Sequence, residues 1–355
     1  MPALAPRTAK PPRILVADDS TFMRRLLTQA LRDAGFDVVG QAADGDEALA
    51  LYRELRPDAM TLDLAMPGMD GIGVLRALRG ERSSLPVVVV SAFSPAHGAQ
   101  AVDALAEGAF DLVAKPAFGE PLEQFVGALR DKVTQAATAG PGPGAVLAPL
   151  ADGASGVARL RARRAPAGSR RVLVIATSTG GPRALAELVP ALPSPLGAGG
   201  MIVQHMPAGF TASLAQRLDR SSKLTVVEAG GGEVLRPDTL ILAAGGSHLR
   251  LSDDGVARLT DEAAVGGLRP RADLTIADAA RVFGERLLLV VMTGMGKDGL
   301  KGAREVRARG GRILAQAEST CTVYGMPRAI VEAGLADDVL PLGELAEAIA
   351  GETGS

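Results

Sequence analysis

Three side chains in the C-terminal half are of the types that cleave acyl bonds. Ser178 follows the apolar run Val172 to Thr177 in "RVLVIATSTGGP", His205 follows "MIVQ", and Asp298 follows "LLLVVM" within "TGMGKDG". A serine hydroxyl attacks poorly until a base takes its proton, and an imidazole is the better base when a carboxylate holds its tautomer. Of the three histidines, His97 lies in the N-terminal half and His248 in a hairpin-like stretch, so His205 alone follows a core strand in the same half as Ser178. Blander readings hold for each residue taken alone. Ser178 or Thr179 reads as a helix N-cap with Pro182 in the first turn, His205 as a structural histidine, and Asp298 as a cap for the next helix. Position joins the three: each sits on a loop just past a core strand, and a parallel sheet sends such loops to one edge.

The same loops fail as phosphate cradles. Neither "STGGPR" nor "GMGKDG" has the G-x-x-x-x-G-K-[ST] pattern, because Asp298 follows Lys297. A dinucleotide fold wants an acid at the end of the next strand, and that strand ends in Gln204, His205 and Met206. Glycines at 180, 181, 294, 296 and 299 let the backbone approach a substrate and leave N–H groups to hold an oxyanion.

A second constellation lies in the N-terminal half. Asp18 and Asp19 close the first strand, Asp63 closes the third, Ser91 ends the fourth and Lys115 follows the fifth. Asp18 and Asp19 alone read as a helix-cap cluster and Lys115 as a surface charge. Together, three carboxylates invite a hard divalent cation such as Mg²⁺. Cation, hydroxyl and ammonium around a carboxylate suit its acceptance of a phosphoryl group.

The elements that must position these groups alternate. Residues 12–135 give five short β-branched runs separated by helical patterns, which predicts a five-stranded parallel sheet, flavodoxin-like, covered on both faces. Residues 136–169 are rich in Gly, Pro, Ala and Arg and read as a flexible linker; Arg159, Arg161, Arg163 and Arg164 form a basic cluster in it, read as solvated. Residues 170–352 resume the alternation and predict a doubly wound α/β domain whose sheet is mostly parallel with some antiparallel pieces. One of these is a hairpin-like "HLRLSDDGVARLT" turning at Asp254-Gly255.

Composition narrows the function classes. Of 355 residues, 47% are apolar, enough to bury two cores, and aromatics at 3% with no Trp argue against base-stacking platforms. A net charge of −2 gives no field that calls for nucleic acid or an anionic membrane. No apolar run is long enough to span a bilayer and the N-terminus lacks an apolar signal core, so a cytoplasmic location is expected. Cys321, the single cysteine, reads as a small core thiol.

Here the motifs carry a resemblance. "ILVADDSTFMRRLL", "TLDLAMPGMDG", "VVVVSAF" and "LVAKP" resemble the receiver domain of bacterial response regulators. The resemblance implies that Asp63 is phosphorylated by a histidine kinase, that Asp18 and Asp19 organise Mg²⁺ with it, and that Ser91 and Lys115 sense the phosphoryl group. Receivers often carry an aromatic where this chain has Leu112, a departure at the position of an aromatic-swing switch. "ATSTGGP", "QHMPAGFTASLAQRL", "MTGMGKDG" and "STCTVYGMPRA" resemble the catalytic domain of the CheB family, the chemotaxis protein-glutamate methylesterases. That implies Ser178 as nucleophile, His205 as base, Asp298 as orienting acid and the Met295 N–H in the oxyanion hole. It also implies methyl-esterified glutamates of chemoreceptor cytoplasmic domains as substrate, deamidation of receptor glutamines as a second activity, and no cofactor for hydrolysis. Thr177 stands where the family usually has Ala, and Lys297 where it often has Asn or Ser. The competing expectation is a phospho-switched adaptor whose second domain is catalytically silent.

Overall fold

The computed structural model describes residues 10–92, 95–116, 121–138 and 170–354. The expected linker core, 139–169, and its arginine cluster lie outside the described residues, as does the side chain of His97.

The N-terminal sheet is made of β1 (Arg13–Ala17), β2 (Asp37–Ala42), β3 (Ala59–Leu62), β4 (Val87–Ser91) and β5 (Asp111–Ala114). Its order is β2-β1-β3-β4-β5 and every pairing is parallel. Between and after the strands come α1 (Thr21–Asp33), α2 (Gly45–Leu55), α3 (Gly71–Gly80), α4 (Pro95–Glu107) and α5 (Leu122–Thr138). Three helix starts are visible in sequence, since Ser20, Asp44 and Asp70 each accept the N–H three residues on. Helix α5 runs to Thr138, past the boundary expected at 135, because Ala136 is still buried.

The C-terminal sheet has seven strands in the order β14-β13-β12-β6-β7-β9-β8, all parallel. They are β6 (Val172–Thr177), β7 (Gly200–Gln204), β8 (Thr225–Glu228), β9 (Thr239–Leu242), β12 (Leu287–Val291), β13 (Arg312–Gln316) and β14 (Asp338–Leu340). The expected antiparallel pieces lie outside this sheet, as a separate hairpin of β10 (His248–Leu251) and β11 (Ala257–Thr260). Gly255, at φ +80°, makes its turn. The helices are α6 (Gly181–Ala191), α7 (Phe210–Ser221), α8 (Ala272–Phe283), α9 (Leu300–Ala308), α10 (Met326–Glu332) and α11 (Leu342–Thr353).

Strand β6 explains the unbroken apolar run. It lies between β12 and β7, and all six of its residues are buried. Covered on both faces, such a strand has no polar side to alternate. Each Val, Leu or Ile buried this way is worth about 1.5–3 kcal/mol. The chain leaves β6 towards β7 on one side and comes back to β12 on the other, which makes the C-terminal end of β6 a topological switch point. Ligand crevices of open α/β sheets form at such points.

Candidate functional site

Ser178 leaves β6 at that switch point. Its N–H donates to the Thr293 carbonyl (3.0 Å), which ties it to the loop after β12, and its carbonyl accepts from Gly181 N–H (2.8 Å) and Gln204 Nε2 (3.0 Å). Gln204 Nε2 also donates to the His205 carbonyl (2.9 Å), so one buried amide holds the backbones of Ser178 and His205 together. The register Thr177↔Gln204 sets the two residues side by side just past their strands. Two glycines permit this turn. Gly180 has φ +77°, and a Cβ there would lie 2.3 Å from Thr322 Oγ1. A Cβ on Gly294 would lie 2.7 Å from Ser178 Cβ and 2.6 Å from Met326 Sδ. Helix α6 then starts with Pro182 in its first turn and no side-chain cap. The serine is therefore not spent as a cap, and the positive end of the helix dipole faces the crevice.

His205 Nε2 lies 2.7 Å from Asp298 Oδ2. The two residues are 93 positions apart in sequence, and both are nearly shielded from solvent. Asp298 is saturated with donors: Ala272 N–H on Oδ2 (2.7 Å), and Asp273 N–H (3.0 Å) and Gly299 N–H (2.9 Å) on Oδ1. Burial by itself would raise its carboxyl. The His205 hydrogen bond and charge, with the Asp273 and Ala272 N–H groups, outweigh burial and hold it well below the usual carboxylate range. An ionised Asp298 can only accept from Nε2, so in the neutral imidazole Nε2 carries the proton and Nδ1 the lone pair, the arrangement a general base needs. Among the described residues no hydrogen bond joins Ser178 Oγ to His205. Contacts of this kind often tighten only around a substrate.

The helix ends near Asp298 are capped crosswise. Asp298 precedes α9 yet accepts the first two N–H groups of α8, while Asp273 in α8 accepts Gly299 N–H (2.9 Å) and Gly302 N–H (3.0 Å) at the start of α9. Arg271 lies between the two acids, its Nη2 3.0 Å from Asp273 Oδ2 and its Nε 3.0 Å from Asp298 Oδ1. His248 belongs to this support. It is fully buried, and its Nδ1 accepts the Arg271 N–H (3.2 Å).

Met295 is half exposed, on the loop after β12, and its N–H has no partner among the described residues. Lys297 is exposed two residues further on. Thr177, the departure at the end of β6, is buried and donates its hydroxyl to the Thr293 carbonyl (2.9 Å). Cys321 is buried, and burial pushes its thiol up to about 12, as expected of a core thiol.

The N-terminal constellation also converges. Asp18 and Asp63 are buried, Asp19 is exposed, and one carboxylate oxygen from each lies within 4.8 Å of the others. Lys115 Nζ lies 2.6 Å from Asp63 Oδ2 and 2.8 Å from Asp18 Oδ2. Burial pushes the Asp18 carboxyl above its usual range despite the Lys115 ammonium. Burial opposes the Lys115 charge too, but the two carboxylates outweigh it and raise the ammonium. Ser91 is buried at the end of β4, where its carbonyl accepts the Lys115 N–H (2.8 Å). Leu112 is buried in β5, so no ring is available at that position to swing.

Several supports escape sequence reading. Arg271, Asp273, Gln204, Thr293 and Arg24 carry no motif signal of their own. Arg24 Nη1 donates to the carbonyls of Asp18 (2.7 Å) and Asp19 (2.9 Å), which holds the acidic turn open. Of these, only Gln204 gave a hint, being an amide at the end of an otherwise apolar strand.

Comparison with known proteins adds the family. The model of the response regulator receiver domain matches residues 14–126, and that of CheB methylesterase matches residues 173–349. The chain is 43% identical to a protein-glutamate methylesterase/protein-glutamine glutaminase of Symbiobacterium thermophilum over 98% of each chain. It is 44% identical to a Myxococcus xanthus protein named protein-glutamate methylesterase/protein-glutamine glutaminase 5, over 94% of this chain and 95% of that one. The crystal structure of the Thermotoga maritima CheB methylesterase catalytic domain is 43% identical and covers 51% of this chain and 97% of its own, with a TM-score of 0.49. The chain thus belongs to the protein-glutamate methylesterase/protein-glutamine glutaminase family, with a response regulator receiver domain preceding a CheB methylesterase domain.

Proposed function

We propose that this protein is a phosphorylation-controlled serine hydrolase that removes methyl esters from glutamate side chains of chemoreceptor cytoplasmic domains and deamidates glutamines there. Ser178 Oγ attacks the γ-carbonyl carbon while His205 Nδ1 takes its proton and Asp298 holds the imidazole in the required tautomer. The oxyanion that forms is met by the Met295 N–H and the positive end of α6. The intermediate collapses to an acyl-enzyme, and His205 returns the proton to the departing methoxide, giving methanol. Water activated by the same imidazole then frees the glutamate. A glutamine side chain follows the same steps with ammonia as leaving group.

The observation that most supports this reading is the 2.7 Å His205–Asp298 contact beside Ser178 at the end of β6. The adaptor reading gains no such support, and the relatives are named for catalysis.

In the receiver domain Asp63 is the phosphoryl acceptor, supplied by a histidine kinase, and Ser91 and Lys115 contact the phosphoryl oxygens. Clustered oxygen donors and a buried acid whose carboxyl is raised fit a hard divalent cation. Asp18, Asp19 and Asp63 would hold Mg²⁺, which neutralises charge on the phosphoryl group. Lys115 supplies the remaining positive charge, and Arg24 keeps the turn that presents Asp18 and Asp19. Among the described residues no helix is long and apolar enough to cross a membrane. We place the enzyme in the cytoplasm, with the domains expected at 12–135 and 170–352, the first carried on to Thr138 by α5, and the linker between them.

The test is methanol release from a receptor-derived peptide carrying a glutamate γ-methyl ester. Wild type should release methanol, and faster with a small phosphodonor, while Ser178→Ala should fall by at least about a thousandfold. Release by Ser178→Ala at a rate near wild type would remove the serine mechanism.

A further inference from the structure

We propose that Arg271 is a positioning residue of this hydrolase, one that orients the Asp298 carboxylate and offsets its charge. The inference rests on the catalytic reading of Ser178, His205 and Asp298 above. The Arg271 side chain is anchored along its length. The backbone N–H donates to His248 Nδ1 (3.2 Å), and from the guanidinium Nη1 donates to the Val265 carbonyl (2.9 Å) and Nη2 to Asp273 Oδ2 (3.0 Å), which leaves Nε 3.0 Å from Asp298 Oδ1. The guanidinium sits on the oxygen opposite the one that contacts His205, since Oδ2 faces the imidazole. Nε meets Oδ1 as an ion pair without hydrogen-bond alignment, and a charge pinned at its other nitrogens favours the carboxylate orientation that keeps Oδ1 beside it. A small misplacement of a catalytic group is costly in rate.

Charge is the second part of the argument. The ionised Asp298 places a full negative charge against the imidazole that must take and return a proton, and that charge pulls on the proton. A cation 3.0 Å from the far oxygen weakens that pull. The ionisable groups about Asp298 are His205 from the loop after β7, Arg271 and Asp273 from the start of α8, and the exposed Lys297 beside it in sequence. His248 in β10 contacts the Arg271 N–H and the Ala263 carbonyl, with no hydrogen bond to Asp298. Arg271 is therefore the cation that contacts the carboxylate among the described residues. The fork and the charge are separable. Arg271→Lys keeps the charge and loses the fork, while Arg271→Met loses both.

The experiment measures kcat and KM for the glutamate methyl ester peptide from pH 5 to 9 in the full chain, for wild type, Arg271→Lys, Arg271→Met and Ser178→Ala, with thermal melts alongside. Arg271→Met should lower kcat about tenfold or more with KM changed less than about twofold. It should also move the acid limb of the kcat/KM profile upward by about one pH unit. Arg271→Lys should lower kcat severalfold and leave the acid limb in place. A Met variant that melts like wild type and keeps both its kcat and its acid limb overturns the proposal. Should the Met variant not fold, Arg271→Lys decides: a wild-type kcat overturns the proposal, and a reduced kcat with an unmoved acid limb upholds it. If Ser178→Ala remains active, the catalytic reading itself is at fault. If it is dead while the Arg271 variants match wild type, only this inference fails.

Discussion

Replacing Asp298 by Asn changes one atom in the most heavily hydrogen-bonded side chain of the site. The wild-type carboxylate accepts Ala272 N–H and His205 Nε2–H on one oxygen, and Asp273 N–H and Gly299 N–H on the other. An amide has one oxygen, so whichever way it turns, its NH₂ faces two donors. If the NH₂ takes the Oδ2 side, it donates to His205 Nε2, forces the proton onto Nδ1, and leaves no lone pair for the Ser178 proton. A wrong tautomer of this kind costs about ten-thousandfold in kcat, equivalent to about 5–6 kcal/mol on the barrier. Folding suffers as well, because at least one buried N–H of α8 or α9 loses its acceptor and both helix ends lose a negative charge. Together these come to about 2–4 kcal/mol, which lowers the melting temperature of a domain this size by about 5–15 °C. The two losses are read separately, by methanol release well below the variant's melting temperature and by thermal unfolding. The pH dependence has a definite sign. Asp298 is held below its ordinary value, so its stabilisation is complete above the unfolded-state value and disappears as pH falls through the folded one. The stability gap between wild type and Asp298→Asn should then be constant above about pH 5 and shrink below about pH 4. A folded Asp298→Asn enzyme with kcat within tenfold of wild type would refute the reasoning, whatever its stability.

Further outcomes follow from the same geometry. Gly294→Ala puts a methyl 2.7 Å from Ser178 Cβ and 2.6 Å from Met326 Sδ. It should cost about 1–3 kcal/mol in thermal unfolding and lower kcat more than KM, because the displaced atoms belong to the proposed nucleophile. Chelating divalent metal, or substituting Asp63→Asn, should abolish stimulation by a phosphodonor while leaving unstimulated methanol release within about twofold. Equal loss of stimulated and unstimulated rates on chelation would place the metal in the hydrolytic step instead.

Much of the site was legible in the sequence because of where strands end. In a parallel α/β sheet every strand delivers its following loop to the same edge, so Ser178 after β6, His205 after β7 and Asp298 after β12 were bound to share an edge before any distance was known. The same rule gathered Asp18, Asp63, Ser91 and Lys115. Both sheets were readable from buried apolar runs such as Val172 to Thr177 and Val87 to Val90. Strand order was not, and neither were β14 and α10, which are short, nor α11, whose burial is mixed along its length. The supporting residues were hidden for a different reason. Arg271 and Asp273 act on Asp298 from 25 to 27 positions away, and Gln204 holds Ser178 from 26 away. Local periodicity carries no trace of such pairings, because they depend on how helix ends meet after the sheet has formed. Residue types and strand ends, written in the chain, chose the chemistry. The crossed capping of α8 and α9, the ionised state of Asp298 and the nitrogen of His205 left free to take a proton arose only once packing buried those groups and limited their partners.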